Sequence, residues 1–375
     1  MTHDGFIPVA APDLNGNEKT YVLDCLESTW ISSSGKYLDR FEAGFAEFCG
    51  VRHAVACSNG TTALHLALAA LGVGPGDEVI VPTLTFVATA NTVTYCGARA
   101  VFVDAEPETW TIDPAALEAS ITPRTKGIIA VHLFGHPADM TAINAIARRH
   151  GLFVLEDAAQ AHGAECRGRR AGALGDIATF SFFGNKIVTT GEGGMVTTGD
   201  DALAGRMRLL RTHGMDPHRR YWHPVIGYNY RMTNLAAAIG VAQLERVDWQ
   251  LDRRHEIAGW YREELGRTGG LTCQGEKAWA RHVWWMFSVL VSEGMAERDD
   301  VMDAMRRRGI ETRPIVHPLH TLPPYVDASR GQRFPVAEAI ARNGINLPTW
   351  AGLTRDQVRS VCDALLECVA GVKTS

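Results

Sequence analysis

No stretch of this 375-residue chain is apolar for the roughly 20 residues that a membrane-spanning helix needs; the longest, residues 63–73, is interrupted by His65 and Gly72. Residues 1–11 carry no basic flank followed by an apolar run, the mark of a secretory leader, so a cytoplasmic location is expected. Basic charge is also scarce. With 37 Lys+Arg against 42 Asp+Glu the formal net charge is −5. A chain that grips nucleic acid or anionic membrane through bulk charge needs a basic face to neutralise phosphates, and neither partner is expected here. The eight cysteines (Cys25, Cys49, Cys57, Cys96, Cys166, Cys273, Cys362, Cys368) form no CxxC pair and no Cys/His cluster at zinc-finger spacing. Reduced, structural thiols are expected, and no metal site. There is no Pro- or Ser-rich linker, no internal repeat and no GxxxxGK[ST] loop. GVGPGD (72–77) follows a helical pattern instead of a strand and is no dinucleotide fingerprint.

What is present is alternation. Seven short apolar, β-branched runs lie between residues 53 and 198: HAVACS (53–58), EVIVP (78–82), AVFVD (100–104), GIIAVH (127–132), FVLED (153–157), ATFSFF (178–183) and GMVTT (194–198). Helical patterns separate them, notably over 61–71 and over 140–150, the latter preceded by Asp139 as a cap. Such alternation predicts an α/β fold, a large mainly parallel seven-stranded sheet covered by helices. Residues 233–265 read as one long helical stretch leading into a smaller C-terminal α+β unit. That unit has a strand over 282–291, a helix near 297–308 and a last helix from Thr354 to about Val369. Two short amphipathic helices, around 18–27 and 37–48, are expected to pack on the small unit or on a partner. The division is 1–250 for the N-terminal helices and large unit, and 251–375 for the small one.

Three segments carry chemistry. In ATFSFFGNKIVTTGEGGMVTT, Lys186 follows an apolar strand and precedes a Gly-rich turn, near the core yet reachable. Partial burial of a lysine lowers its pKa and leaves neutral amine to attack an aldehyde. In FVLEDAAQAHGA a buried strand ends in Glu156 and Asp157, and ligands of parallel sheets bind beyond the carboxyl ends of the strands. A carboxylate there can pair with a protonated pyridine nitrogen. Lysine and aspartate together are what pyridoxal 5'-phosphate requires of a protein. In CSNGTTALHLAL a strand turns into a helix at Ser58, Asn59, Gly60 and Thr61, a phosphate cradle of backbone N–H groups to which Ser181 adds a hydroxyl. Phe86, beyond another strand end, is either a stacking ring or core.

Together SNGTTALHLAL, GDEVIVPTLTFVATAN, EDAAQAHGA, GDIATFSFFGNKIVTTGEGGMV and IGYNYRMTNLAAAIGVAQLE resemble the DegT/DnrJ/StrS family of pyridoxal-phosphate-dependent nucleotide-sugar aminotransferases, in family order over nearly the whole chain. The resemblance implies fold type I, a large seven-stranded domain with a small C-terminal one, and a homodimer with active sites at the interface. It implies that Lys186 bonds to the cofactor and moves the proton, and that Asp157 is the pyridinium partner. It further implies that Gln160 lies near the ring's phenolic oxygen, that Gly60, Thr61 and Ser181 contact the phosphate, and that Phe86 stacks. Asn229 matches an asparagine that reaches the phosphate of the partner's cofactor. A dehydratase branch of the family has His in place of the lysine, and Lys186 argues against it.

Within the family, HLFGHPADM, HRRYWHPVIGYNYRMTN and ETRPIVHPLHTLPPY look most like the perosamine synthase branch, which aminates GDP-4-keto-6-deoxy-mannose with L-glutamate. Gln160 departs from the acidic residue of that branch, which leaves the nucleotide and sugar open, with another keto-sugar, a cyclitol or a keto-nucleoside as alternatives. The segment 213–223, His162, His317 and His320 are candidates for substrate contacts, and Arg231 and Arg313 for a substrate carboxylate held bidentately. Trp222 and Tyr325 are read either as contacts of sugar or base or as packing.

Overall fold

The computed structural model describes residues 5–266 and 269–371. Its seven-stranded sheet takes all seven predicted runs, in the spatial order 53–57, 194–198, 177–181, 153–157, 125–131, 78–82, 99–103. Gly194–Thr198 runs antiparallel to both neighbours and the other strands share one direction. The α/β fold is thus the one the alternation predicts. Helices cover both faces, so these strands are buried nearly throughout, as parallel sheets are.

Local chemistry starts and stops the helices. The Asp139 carboxylate accepts from the N–H groups of Thr141 and Ala142, and Gly151 takes the left-handed conformation past the last turn, bounding Met140–His150. Asp200 caps Asp201–Arg211 in the same way. Asn59 and Thr62 cap Gly60–Ala70 reciprocally, through Thr62 N–H to the Asn59 side chain at 2.8 Å and Asn59 N–H to the Thr62 hydroxyl at 3.1 Å.

Three expectations need correction. The long helical stretch is two helices, Asn234–Leu244 and Val247–Leu265. No glycine or proline breaks it; the N-terminal segment does. Glu245 accepts from Asn17 and Tyr21, Arg246 pairs with Asp13, and buried Gln243 donates to the Asp13 carbonyl, so the chain is held out of the helix at this point. The strand expected over 282–291 is only Phe287–Val291, in a four-stranded antiparallel sheet with 271–273, 344–347 and 313–314. Before it Trp284 is left-handed (φ 50°), and Val283 and Trp285 donate to the carbonyls of Gly135 and Phe134 at 3.1 and 2.9 Å. That segment serves as a dock onto the large unit.

The two N-terminal helices, Glu18–Glu27 and Lys36–Cys49, pack on the large unit as well. Tyr37 N–H donates to Asn234, while Phe41 and Phe45 lie 5.0 and 4.8 Å from Phe182 and Phe180. The apolar stripe of Lys36–Cys49 thus has its partner in the large unit and not in the small one, while Leu23 and Leu26 of the first helix stay exposed.

The described residues form two hydrophobic cores. One fills both faces of the large sheet, and the other lies between the small sheet, Val247–Leu265, Arg298–Arg307 and Arg355–Gly371. Val247 and Leu251 belong to the first, Ile257, Ala258, Tyr261 and Leu265 to the second, so one helix anchors in both. All eight cysteines are free thiols, six of them buried. Among the described residues no helix is long and apolar enough to cross a membrane.

Candidate active site

Five residues of strand, Phe153–Asp157, deliver an acid to the carboxyl end of the sheet. Successive side chains of a strand point to opposite faces, so Glu156 and Asp157 part company. Glu156 is fully buried, lies 3.0 Å from His132 Nε2 and accepts from the N–H groups of Gly172, Leu174 and Gly175. Its bonds hold the turn before the next strand. Asp157 lines a cavity of about 580 Å³ and, among the described residues, has two donors, the Thr89 hydroxyl at 2.7 Å and Ala159 N–H at 3.2 Å. Burial raises its pKa above the ordinary carboxylate value, against the pull of these bonds and of the charges on Lys186 and His132.

Next door, Ile177–Ser181 ends at the same edge and the chain turns, with Lys186 N–H donating to the Phe183 carbonyl at 2.9 Å. Lys186 lines the same cavity, its Nζ 3.9 Å from the centroid of the Trp285 ring. Burial brings its pKa down to about 8, although the charge of Asp157 works the other way. An appreciable fraction of neutral amine is therefore present near neutral pH.

The third wall is the start of Gly60–Ala70. Asn59 caps Thr62, while the N–H groups of Gly60 and Thr61 have no acceptor among the described residues. A helix N-terminus with free N–H groups attracts an anion. Glycine is required at 60 because any Cβ there would sit 2.7 Å from Ser181 Cβ, closing the approach between cradle and hydroxyl.

Gly60, Thr61, Phe86, Asp157, Gln160, Ser181, Lys186 and Arg313 all line this one cavity. Phe86 stands at its rim, 59% exposed, with a face free to cover a flat ring. The Gln160 side-chain oxygen Oε1 accepts from Phe134 N–H at 2.7 Å. The other named residues lie elsewhere. His162 is fully enclosed by Phe45, Phe180 and Phe182, its two ring nitrogens without partners among the described residues. Burial pushes its pKa down to about 3, so it is a neutral core imidazole out of a substrate's reach in this chain.

His320 is buried too, with Nδ1 2.7 Å from the Thr83 hydroxyl and Nε2 3.3 Å from Glu338. His317 is exposed and off the cavity wall. Asn229 is exposed, its amide oxygen accepting from Arg231 at 2.9 Å. Tyr325 is a packing residue, hydrogen-bonded to Asn91 and edge-on to Phe102, whereas Trp222 is half exposed beside Arg219.

Sequence reasoning missed Thr89, Asn185, Glu192, Trp285 and Asn346 among the cavity's neighbours. Thr89 had a signal, because it lies three residues after Phe86 at the start of a helix. Trp285 had none, since its run looked like strand.

A model of the DegT/DnrJ/EryC1/StrS aminotransferase family matches residues 12–366. The chain belongs to this family. It is therefore an aminotransferase. It is 57% identical over 361 residues to the GDP-perosamine synthase of Caulobacter vibrioides, covering 96% of this chain and 97% of that one. To the GDP-perosamine synthase of Vibrio cholerae it is 45% identical, covering 96% and 98%. Among solved structures, DesV of S. venezuelae in complex with a ketimine intermediate aligns with a TM-score of 0.90 at 38% identity, covering 96% of this chain and 95% of that one.

Proposed function

We propose that this aminotransferase uses pyridoxal 5'-phosphate to move the amino group of L-glutamate onto GDP-4-keto-6-deoxy-mannose, yielding GDP-perosamine. The observation that carries the cofactor assignment is that Lys186, Asp157 and the uncapped N–H groups of Gly60 and Thr61 open into one cavity. The names of the relatives support the sugar. When bound, the cofactor supplies an electron sink for charge developing on the amino carbon.

The protein's own groups do the rest. Gly60, Thr61 and Ser181 bind the phosphate, and Phe86 covers the ring. Asp157 holds the proton on the pyridine nitrogen; a cation there makes up for the donors its carboxylate lacks. Gln160, its Oε1 held by Phe134 N–H, would donate its side-chain N–H to the phenolic oxygen. Lys186 Nζ is the nucleophile and then carries the proton, a role that typically supplies about 10² to 10⁴-fold.

At the mouth the Arg313 guanidinium, whose one side-chain partner among the described residues is Glu311 at 3.4 Å, is available to take a carboxylate of the donor. His317 remains a candidate for the sugar diphosphate. His162 and His320 are occupied by the interior and take no part in substrate binding. Asn229, Arg231 and the exposed segment 213–223 are assigned to the cavity of a second copy, in a homodimer with shared sites. A cytoplasmic place and the division at 250/251 belong to the same proposal; the two cores meeting along Val247–Leu265 support the latter.

The test is the visible spectrum with pyridoxal 5'-phosphate, before and after L-glutamate, followed by the keto-sugar and product mass. A band that bleaches with glutamate and a product heavier by the exchange of oxygen for an amino group are expected. No band would overturn the cofactor assignment. A bleaching band with no sugar product would overturn the sugar alone.

A further inference from the structure

Lys186 is held by a residue that none of the chemical motifs contains. Trp285 reaches the cavity from the docking segment 282–286. Its indole Nε1 donates to the carbonyl of Asn185 at 2.8 Å, and its ring face lies 3.9 Å from the amine of the next residue, Lys186. The indole thus grips both the backbone just before the lysine and the lysine's own tip.

The tryptophan is itself fixed on three sides. Its N–H donates to the Phe134 carbonyl at 2.9 Å, and the Phe134 ring stacks on it at 6.4 Å and 18°. Behind it Arg254, 3% exposed, donates to the carbonyls of Trp284, Trp285 and Thr349 at 3.3, 3.0 and 3.2 Å.

We propose that Trp285 is a positioning residue for Lys186: its ring face favours the protonated amine and holds it aimed into the cavity, while its N–H anchors the turn that carries the lysine. An aromatic face attracts an ammonium ion and does little for a neutral amine. Trp285 therefore biases the lysine toward the state that donates a proton, and the docking of the small unit delivers that bias. The other groups that bear on the amine are Asp157 from the sheet, Glu192 and Arg313 on the cavity wall and the neutral His162 beneath it. Each of these is present in both variants compared below, so the comparison holds them constant. The inference rests on the proposed role of Lys186 and deepens it.

The experiment follows acetylation of Lys186 by acetic anhydride against pH, on the full chain without added cofactor, by peptide mass spectrometry. It compares Trp285→Phe with Trp285→Leu. These two side chains are both apolar and close in size, so the main difference between them at this place is the ring face. The half-point for Leu is expected about half a unit to one and a half units below that for Phe. Coincident half-points, or a higher one for Leu, would overturn the proposal.

Should either variant fail to fold, the wild-type sequence grown with fluorinated tryptophan keeps the shape while withdrawing charge from the ring face. A lowered half-point is expected there too, and an unchanged one would overturn the proposal. Separate addition of pyridoxal 5'-phosphate to the wild type shows whether Lys186 captures the aldehyde. Failure of that capture sinks the cofactor reading and leaves the ring-face result standing by itself.

Discussion

The two ends of the large sheet treat a buried acid in opposite ways. At the amino end Glu78, 1% exposed, accepts from Arg99, from Arg124 twice and from the Thr122 hydroxyl, all within 2.8 Å. Burial alone would raise its pKa, but these bonds outweigh it and bring it down to about 2. At the carboxyl end Asp157 has two neutral donors and a raised pKa. One carboxylate is fully served by the fold. The other is left short, and the shortage is what a cationic ligand group can fill. A buried carboxylate left short of partners costs stability, and here the shortage sits where the proposed chemistry needs it.

That contrast is open to breakage from either end. Lys186→Ala should show the largest effect, a loss of about 10⁴-fold or more in amino transfer measured by glutamate-dependent product formation. Activity near wild type would remove the lysine from the chemistry. Asp157→Asn should lower turnover by about 10²-fold while leaving thermal stability of the cofactor-free chain within about 1 kcal/mol, because it removes a charge that burial disfavours. A large fall in melting temperature with turnover intact would reverse the assignment of the two ends.

Removing Arg254 tests the dock between the units. Arg254→Ala leaves three buried carbonyls without their donor and should cost about 2 to 4 kcal/mol in urea unfolding. Glu78→Gln should cost about 1 to 3 kcal/mol with turnover unchanged, the mirror image of Asp157→Asn. Its sign with pH follows from the lowered pKa. The stabilisation by Glu78 is complete above its ordinary value of 4.5 and is lost as the pH falls toward about 2, so wild type and variant should converge on acidification. The smallest effect is one of profile: capture of pyridoxal 5'-phosphate by the wild type should rise with pH and reach its half-point near 8, where Lys186 loses its proton.

Much of the candidate site was legible because it is local. The strand-end acid, the lysine in its Gly-rich turn and the strand-to-helix cradle are each contiguous motifs, and a parallel sheet brings all its carboxyl ends to one edge. Positions that depend on the identity of a distant neighbour were not legible. His162 sits in the most familiar of the motifs, yet its ring is enclosed by phenylalanines from Lys36–Cys49 and Ile177–Ser181 and the turn beyond. His320 is taken by Thr83, 237 residues away along the chain.

The seven strands, the Asp139 cap and the chemical identity of the groups at the strand ends could be read from local pattern, since periodicity, capping and residue type act over a few residues. Long-range packing made Asn234–Leu244 and Val247–Leu265 separate helices, laid the N-terminal helices on the large unit and turned 282–286 into a dock. It also decided that the indole of Trp285 faces Lys186. The reason is the same in each case: the deciding partner, whether Asp13, Phe180, Phe134 or Asn185, is supplied by a part of the chain that local pattern cannot see.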